Sequence, residues 1–561
     1  MHNTRYIPLE PINYKATFTH NFDSLKSVDA FLNDVYTYYY YKGFYNLLIT
    51  EIFNLLSMFF MLWVTIILAT GIDYTELFTT YHIWESLKTP HVTPLLGIFI
   101  SIYSIYWSYR AYNLVYISRK MYQVREFYLT QLGITDQEIY TVKWTEIMKY
   151  LVDNLGGELN EHDIVNCVMR KQNFMIGIIN KDIINLVYKF PFIGRVSLLT
   201  RLLEYNLKKI LYPIIYGNNQ CELNSDLLQR SKRPKLIRQL RHQLQLAAVI
   251  NLLLAPFLLV VLALYFVFNY TQIFKSSPSS MCSYQWSLNA VWKFREFNEL
   301  PHTLDYRLKK SYNAAEKYLT YFPFYHRNAV AKFICFVVGT FITVLTLFTL
   351  VDDQFLFHGV VFGEFSIVFT LGLLGSIYTL FQYFSISENV VNEPEEHMKH
   401  VVDWTHYYPK AWRQKVHHYT IRNEFNAFFE FKLTFICNEI LSVLTTPFIL
   451  WFVLAPKSDK IIDFFQDFIV KSPRVGYICS FATFDLQKHG SADYGNGVTE
   501  DAQSFMSDYL VSNNGKMEKS IMSFQKEYPG WNPAQSTRSW MQQMPGDSIF
   551  ELECKFGSSH A

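Results

Sequence analysis

The sequence predicts an all-α polytopic membrane protein with four transmembrane helices, two re-entrant helical hairpins and helical regions in the cytosol. Three observations lead to this fold class. Six stretches are apolar and long enough to reach into a bilayer, for which a straight helix needs about 20 residues. Basic residues are concentrated in some of the connecting segments and are nearly absent from others. Two of the six stretches contain a central proline.

The composition is that of a membrane protein rather than a soluble one. Of the 561 residues, 50% are hydrophobic, 18% are aromatic and only 17% are charged, whereas a soluble globular chain has about 25% charged residues. The net charge of +2 gives no indication of a nucleic-acid partner. None of the seven cysteines forms a C-x-x-C pair, so we expect free thiols in a reducing compartment and no zinc site.

The six apolar stretches are separated by segments whose charge indicates the side of the membrane on which each lies. The stretches cover residues 44–71, 93–117, 244–268, 329–350, 360–384 and 431–454. The loop between the first two is mainly acidic, and the loop between the fourth and fifth contains Asp352 and Asp353 without a basic residue. Because Lys and Arg remain on the cytosolic side, these two loops are predicted to be lumenal.

The third and sixth stretches are predicted to enter the membrane and return. If the third stretch crossed fully, the basic segment 269–328 would become lumenal, against the positive-inside rule. Pro256 and Pro447 lie in the middle of these stretches, where each removes a helical hydrogen bond, as the break of a hairpin requires. The alternative is that each stretch is a kinked full span. Re-entry places both termini in the cytosol.

These assignments divide the chain into ten segments. They are a cytosolic N-terminal segment (1–43), a first transmembrane helix pair (44–117), a cytosolic helical region (118–243), re-entrant hairpin 1 (244–268), a cytosolic helical region (269–328), a second transmembrane helix pair (329–384), a cytosolic helical region (385–430), re-entrant hairpin 2 (431–455), a cytosolic C-terminal core segment (456–490) and a tail (491–561). The tail is polar and rich in Gly, Ser, Asn and Gln, so it is predicted to be mostly disordered.

Several membrane stretches carry polar side chains, which in lipid must face protein, water or headgroups. The fourth stretch has threonines at three-residue spacing, and the fifth adds an acid and further hydroxyls; these residues include Thr340, Thr343, Thr346, Glu364 and Thr370. Such faces predict a polar groove along which a headgroup slides while its acyl chains stay in the lipid. The alternative is helix packing, in which Ser and Thr side chains hold neighbouring helices together.

Other motifs give weaker indications. The run from Arg230 to Arg241 indicates either a solvated juxtamembrane face or contact with anionic headgroups through Arg233, Lys235, Arg238 and Arg241. Tyr6 and Leu9 fit a Tyr-x-x-apolar sorting signal for clathrin adaptors, although in a chain with 40 tyrosines such a match also arises by chance. The histidines between His397 and His418 match no zinc spacing, and the sequence has no P-loop or catalytic triad. We therefore expect no metal, no cofactor, no ATP-driven step and no enzyme activity.

Four long strings resemble the autophagy-related protein 9 family. They are NCVMRKQNFMIGIINKDIINL (166–186), FREFNELPHTLDYRLKKSYNAAEKYLTYFP (294–323), RNEFNAFFEFKLTFICNEILSVLTTPFIL (422–450) and IIDFFQDFIVKSPRVGYICSFATFDLQKHG (461–490). The opening DAFLNDVYTYYYYKGFYNLL (29–48) fits the same family, so the resemblance covers roughly residues 25–490. The tail is short compared with many members, which implies that regulation through the tail is reduced or different.

The resemblance implies both a fold and a function. Members of the family have four spans and two membrane-dipping hairpins, in agreement with the charge pattern, and form a domain-swapped homotrimer with a central pore. The implied activity is energy-independent phospholipid scrambling on Golgi-derived and endosomal vesicles, at the phagophore assembly site and in the autophagosome membrane. The implied partners are membrane phospholipids, further copies of the chain, the lipid-transfer protein autophagy-related protein 2 and the autophagy initiation complex.

The resemblance also implies a lipid path near the pore. We assign this path to Lys293, Arg295 and Glu296, with Thr340, Thr343 and Thr346 beyond them. In this hypothesis the basic groups hold the phosphate and the hydroxyls replace the water around the headgroup. Two other classes of function stay open. One is a trimeric vesicle scaffold that recruits autophagy factors without moving lipid. The other is a membrane-embedded lipid enzyme, for which no catalytic constellation is visible.

Overall fold

The structure is a computed structural model that describes most of the chain between residues 25 and 543. The described residues are 25–80, 83, 85–91, 93–154, 159–190, 194–217, 223–276, 283–320, 322, 325–351, 355–356, 359–360, 365–384, 393–485 and 516–543. The chain forms long apolar helices and a body of shorter, more polar helices, which we call the water-facing body. The helical membrane-protein class is thereby confirmed.

Helices account for nearly all of the described structure. In chain order they are α1 (Leu25–Tyr40), α2 (Phe44–Ile66), α3 (Tyr74–Thr80), α4 (Pro94–Thr130), α5 (Trp144–Asn154), α6 (Glu161–Asn180), α7 (Arg201–Tyr216), α8 (Arg233–Ser276), α9 (Leu288–Phe294), α10 (Pro301–Thr320), α11 (Tyr325–Val351), α12 (Ile367–Phe384), α13 (Pro394–Thr405), α14 (Tyr419–Phe425), α15 (Lys432–Phe448), α16 (Ser458–Phe468), α17 (Lys516–Glu527) and α18 (Gln535–Gln543). The strands form short antiparallel pairs, which are β1 (Val187–Phe190) with β2 (Gly194–Ser197), β3 (Tyr284–Trp286) with β4 (Phe429–Phe431), and β5 (Ile469–Ser472) with β6 (Gly476–Cys479).

Four helical segments of the described chain are long and apolar enough to cross a membrane. They are Phe44–Gly71, Arg230–Phe268, Asn328–Val351 and Lys432–Phe468, while Ile367–Gln382 is apolar but shorter. This set differs from the four predicted spans. The second predicted span lies in α4, where serines, tyrosines and Arg110 dilute the apolar content. The two stretches predicted as hairpins instead lie in Arg230–Phe268, the most apolar of the four, and Lys432–Phe468, the least apolar.

The predicted helix breaks at the two prolines are wrong. Helix α8 runs without interruption through Pro256, and α15 continues through Pro447 into a π-helical segment, Ile449–Leu454, before α16. A proline removes only one backbone donor, and a helix in lipid retains all its other internal hydrogen bonds by continuing. A wider π turn absorbs the local mismatch after Pro447. Neither proline therefore breaks its helix.

The two unbroken rods lie against each other in opposite directions. Arg233 at the start of α8 forms a bidentate ion pair with Asp463 of α16, with nitrogen–oxygen distances of 2.5 and 2.8 Å. Near the other end of α8, Phe266 packs against Phe435 and Ile436 of α15. Each rod begins and ends at the water-facing body. The chain from Ser276 to residue 283 can span only about 25 Å. Because β3 comes next and belongs to that body, the end of α8 lies near the body.

The main hydrophobic core of the water-facing body surrounds α6. Asn160 and Asp163 form a capping box at the start of this helix, and almost every residue that follows is buried. Helix α1, the end of α4, α5, α7, the start of α8, α16 and the β5–β6 pair contribute to the same core. Arg170 of α6 forms a buried ion pair with Asp29 of α1 at 2.9 Å. These contacts fix α1 next to the start of the first membrane helix.

A second core forms around the β3–β4 pair and helices α10, α13 and α14. Tyr284 pairs with Phe431 across the strands, and the two rings stack at 4.3 Å between centroids. Helices α10 and α13 pack side by side, since the guanidinium of Arg307 donates to the carbonyl oxygen of Trp404 at 2.7 Å. Because α10 leads into α11 and α13 follows α12, this core lies at the base of a membrane helix pair.

Part of the tail is helical, and the prediction that most of the tail is disordered stays a prediction. Residues 516–543 form α17 and α18, and Met517, Ile521, Phe524 and Tyr528 are buried in the main core. These apolar residues recur at intervals of three and four, which gives α17 one apolar face despite its polar composition. The remaining predicted tail, residues 491–515 and 544–561, lies outside the described residues.

Candidate lipid-contacting site

The threonine stripe lies on a part of α11 that no other described element covers. Val338 and Leu345 are buried, and Gly339 lies close to the ring of Tyr378 on α12. At about 100° per residue, Thr340 points away from the buried side of Val338, while Thr343 lies one turn after Gly339 at the edge of this contact. The side chains of Thr340, Thr343 and Thr346 are all exposed. The chain therefore presents polar atoms on an apolar helix to lipid, water or a further subunit.

The hydroxyls of the stripe are bonded to their own helix. Thr340 donates to the carbonyl oxygen of Phe336 at 2.8 Å, Thr343 to Gly339 at 2.8 Å and Thr346 to Ile342 at 2.7 Å. Each donor is thus satisfied in lipid, while the oxygen lone pairs remain available. Such a surface can accept hydrogen bonds from an ammonium headgroup or from water, and it can also pack against another helix.

Thr370, which was assigned to the lipid path, is buried. This side chain is 5% exposed, and its hydroxyl donates to the carbonyl oxygen of Ser366 at 3.0 Å. Within this chain Thr370 contributes to packing, and its role in a lipid path stays a prediction. Glu364 lies outside the described residues.

Arg295 and Glu296, which were also assigned to the lipid path, lie inside the body, and their role in a lipid path stays a prediction. Both are buried in the water-facing body, at 7% and 2% exposure. Arg295 packs over the ring of Trp292, and burial lowers the pKa of its guanidinium. Glu296 lies 2.7 Å from Nδ1 of His406. Burial alone would raise the pKa of this carboxyl, but the charges of His406 and Arg307 hold it below its usual range.

Lys293 is partly exposed but is engaged within the chain. Its ammonium pairs with Asp182 at 2.7 Å, and its carbonyl oxygen accepts from the ammonium of Lys516 at 2.8 Å. The sequence suggested lipid contacts because charged groups near membrane stretches suit headgroups. The ion-pair partners of Lys293 and Glu296, which are Asp182 and His406, lie more than 100 residues away along the chain, so local patterns could not show them.

The basic run before α8 separates into paired and unpaired residues. Arg233 pairs with Asp463, and Lys235 pairs with Asp226 at 3.0 Å. Arg238 and Arg241 are exposed, and within the described chain they contact only the carbonyl oxygens of Pro234 and Ala455. Only the second pair therefore remains free to meet an anionic headgroup.

A polar ladder that the sequence did not predict joins α2 to α4. Tyr103 donates to the carbonyl oxygen of Met58 and Trp107 to that of Leu55, both at 3.0 Å. Further along, Arg110 pairs with Glu51 at 2.9 Å. The signal was an arginine inside an apolar stretch, which in lipid needs a partner. The ladder fixes the two helices in register.

Breaking the Glu51–Arg110 pair should weaken this helix pair. Glu51 lies about 10 Å along α2, so Arg110→Gln leaves a lone charge at a cost of about 2–3 kcal/mol. We expect a lower yield of monodisperse protein for Arg110→Gln and for Glu51→Gln, measured by fluorescence-detected size-exclusion chromatography. The double variant removes both charges and should recover most of the yield. A double variant no better than the singles would contradict the pairing.

Tyr6 and Leu9, the predicted sorting signal, lie outside the described residues. Within the part of the chain that the structure describes, no three His, Cys, Asp or Glu side chains are grouped to hold a metal ion. Cys167, Cys335, Cys437 and Cys479 are free thiols.

The comparisons with known proteins agree with the resemblance in the sequence. Residues 20–485 match the family model described as Autophagy protein ATG9. Autophagy-related protein 9 of Dictyostelium discoideum is 34% identical over 520 residues, covering 91% of this chain and 73% of that protein. Autophagy-related protein 9 of Penicillium rubens is 31% identical over 543 residues, covering 92% of this chain and 57% of that protein. The chain thus spans just over half the length of the Penicillium relative.

A solved structure shares the fold. The cryo-EM structure of Schizosaccharomyces pombe Atg9 superposes with a TM-score of 0.64 at 27% identity, covering 82% of this chain and 100% of that one. Sequence and structure therefore lead to the same conclusion: the chain belongs to the autophagy protein ATG9 family.

Proposed function

We propose that this chain is an energy-independent phospholipid scramblase of autophagy vesicles, which equilibrates lipids between leaflets during phagophore nucleation and autophagosome expansion. The observation that supports it is the uncovered threonine stripe on α11. An exposed polar stripe along an apolar helix lowers the cost of bringing a headgroup into the membrane, because it replaces part of the hydration shell. No catalytic step is needed, since the lipid is moved and not changed.

The proposal includes an assembly and a topology. The chain forms a domain-swapped homotrimer with a central pore, in which the stripes of α11 line polar passages. Both termini lie in the cytosol, and the rods α8 and α15–α16 enter the membrane only partway from that side, as continuous helices. The arrangement is supported by the two ends of each rod, which both lie at the water-facing body.

The proposed setting follows from membership of the family. The chain resides on Golgi-derived and endosomal vesicles, at the phagophore assembly site and in the autophagosome membrane. It receives lipid from autophagy-related protein 2, cooperates with the autophagy initiation complex and is sorted by clathrin adaptors through Tyr6 and Leu9. Lipid that arrives in the cytosolic leaflet then needs a passive route to the other leaflet, which the stripe would provide.

A scaffold function is the second candidate. The stripe hydroxyls are already bonded to their own helix, so the same surface could serve only to pack one subunit against another. A trimer of that kind would shape the vesicle and recruit autophagy factors without moving lipid.

Leaflet exchange by the purified chain distinguishes the two functions. The protein is reconstituted in liposomes with fluorescent lipid in both leaflets, and a membrane-impermeant quencher is added without ATP. A scramblase carries quenching well past the half level of protein-free liposomes. A halt at that level, with trimers intact and inserted, would favour the scaffold.

Blocking the stripe should slow exchange. Thr343→Trp places a bulky ring on the uncovered face, and an added barrier of about 1.4 kcal/mol corresponds to a tenfold slower rate. Phe341→Trp is the control, because Phe341 is also exposed and lies about 160° around the helix from Thr343. Equal rates in the two variants would assign the stripe to packing.

A further inference from the structure

A groove between α10 and α13 lies at the base of the α11–α12 helix pair. Its cavity of about 350 Å³ is lined by residues from both helices. Helix α10 forms one wall of the groove and runs from Arg307 toward α11. Helix α13 forms the other wall and runs from the α12 side toward Trp404. The two helices are antiparallel, because Arg307 bonds to Trp404 and Lys317 lies near His397 at the opposite end.

The groove is basic and polar. Two lysines and two histidines face it, together with an amide, an indole and one acid, namely Lys310, Lys317, His397, His400, Asn313, Trp404 and Glu396. The acid lies 4.0 Å from Nε2 of His400, and Asp403 lies 3.9 Å from Nδ1 of the same ring. The His400 ring therefore lies between two carboxylates at one side of the groove.

The two lysines of the groove are not neutralised within the described chain. Neither Lys310 nor Lys317 forms an ion pair there, although Arg307 on the same helix is fully paired. The ammonium of Lys310 lies 5.5 Å from the ring centre of Tyr306, which contacts Trp404 edge to face at 6.0 Å. Two unpaired ammonium groups beside a pair of aromatic rings form an environment suited to an anion carried on a sugar-like ring.

We propose that this groove binds a phosphomonoester carried on a polar, sugar-sized group, such as the phosphorylated headgroup of an inositol lipid. Lys310 and Lys317 contact the phosphate, Asn313 bonds to ring hydroxyls and Trp404 packs against the ring. The position of the groove favours a lipid as the source, since Lys317 is eight residues from the first residue of α11. The proposal does not depend on leaflet exchange.

Equilibrium binding to the full chain in detergent tests the proposal. The probe is fluorescent short-chain phosphatidylinositol 4-phosphate, followed by anisotropy, with unphosphorylated phosphatidylinositol as the negative probe. Lys310→Ala with Lys317→Ala should weaken binding at least tenfold, since each lysine near an anionic headgroup contributes about 1 kcal/mol. Glu396→Gln should strengthen binding, because it removes the acid of the groove.

The control removes the same charge from the same helices outside the groove. Lys309→Ala with Lys399→Ala should leave the affinity within about twofold. An equal loss in both double variants would show general charge attraction and overturn the site. Affinity unchanged by the Lys310 and Lys317 substitutions would overturn it as well.

Competition separates the two sources of phosphate. If soluble inositol 1,4-bisphosphate displaces the probe as well as unlabelled short-chain lipid does, the groove recognises the phosphorylated ring alone and a free metabolite fits equally. If only the lipid competes, the acyl part contributes and the membrane is the source. Both results uphold the phosphate site, and displacement by unphosphorylated phosphatidylinositol would contradict it.

Discussion

Replacing Arg307 by methionine is expected to destabilise the water-facing body more than any other single substitution considered. The guanidinium holds Glu299 in a bidentate pair at 2.6 and 2.8 Å. It also donates to the carbonyl oxygens of Phe294 at 3.1 Å and Trp404 at 2.7 Å. Glu299 and Phe294 are buried and Trp404 is partly buried, so the substitution leaves several acceptors without a partner.

The expected size follows from the charges that remain. Glu296 and Glu299 are 2% and 6% exposed, and both depend on Arg307 for compensation. Breaking one side of a buried pair costs about 3–5 kcal/mol, which corresponds to a fall of about 5–10 °C in the apparent unfolding midpoint. The midpoint is measured by heating the protein in detergent and following its monodisperse fraction.

Two further variants test the mechanism. Arg307→Lys keeps the charge but loses the planar fork, so its midpoint should lie between the wild type and Arg307→Met. Lys309→Met removes an exposed charge two residues away and should change the midpoint by less than about 2 °C. A midpoint for Arg307→Met equal to that of Lys309→Met would contradict the role of the buried network.

The sequence predicted the class of the fold well because lipid imposes a local rule. Backbone groups in hydrocarbon must form hydrogen bonds within the chain, so an apolar run of about 20 residues indicates a membrane helix whatever its neighbours are. The same rule explains the failure at Pro256 and Pro447. One missing donor costs less than a chain reversal in lipid, so the helices continue, and both ends of each rod lie at the body.

The candidate site was less predictable because its electrostatics are long-range. Arg295 and Glu296 look like headgroup ligands in the sequence, but their environment is made by His406 and Lys516, which are distant in the chain. The helix α17 within the tail was missed for another reason. Its overall composition is polar, while the spacing of Met517, Ile521 and Phe524 already carries the period of an amphipathic helix.

Acid should release the tail helices from the body. His162 is buried at their docking site, where its Nε2 atom lies 2.9 Å from the carbonyl oxygen of Ala482 and its ring stacks on Trp531 at 5.3 Å and meets Phe524 edge to face at 5.5 Å. Burial lowers the pKa of His162 from 6.5 to about 4. The imidazole is therefore neutral when the tail is docked.

The direction of the effect follows from this lowered pKa. Above pH 6.5 the ring is neutral in both docked and released states, so docking has its full stability. Between pH 6.5 and about 4 the released state takes up the proton more readily, and docking loses up to about 3 kcal/mol. Glu527 acts in the opposite sense, because burial raises its pKa to about 7 and its protonation favours docking as the pH falls.

Substituting Glu527 and His162 in turn distinguishes their contributions to the pH dependence of docking. In a Glu527→Gln background, amide hydrogen exchange of residues 516–531, corrected for the intrinsic pH dependence, should accelerate as the pH is lowered from 7 to 5. Adding His162→Gln keeps a donor for Ala482 but removes the titrating ring, so most of the acceleration should disappear. Protection that stays constant across this range in the Glu527→Gln protein would show that His162 does not control docking. Loss of amide protection in the Glu527→Gln protein, but not after His162→Gln is added, would show that acid releases α17 from the body. Release would remove the Lys516 ammonium, which donates to the carbonyl oxygen of Lys293 and whose charge acts on Glu296.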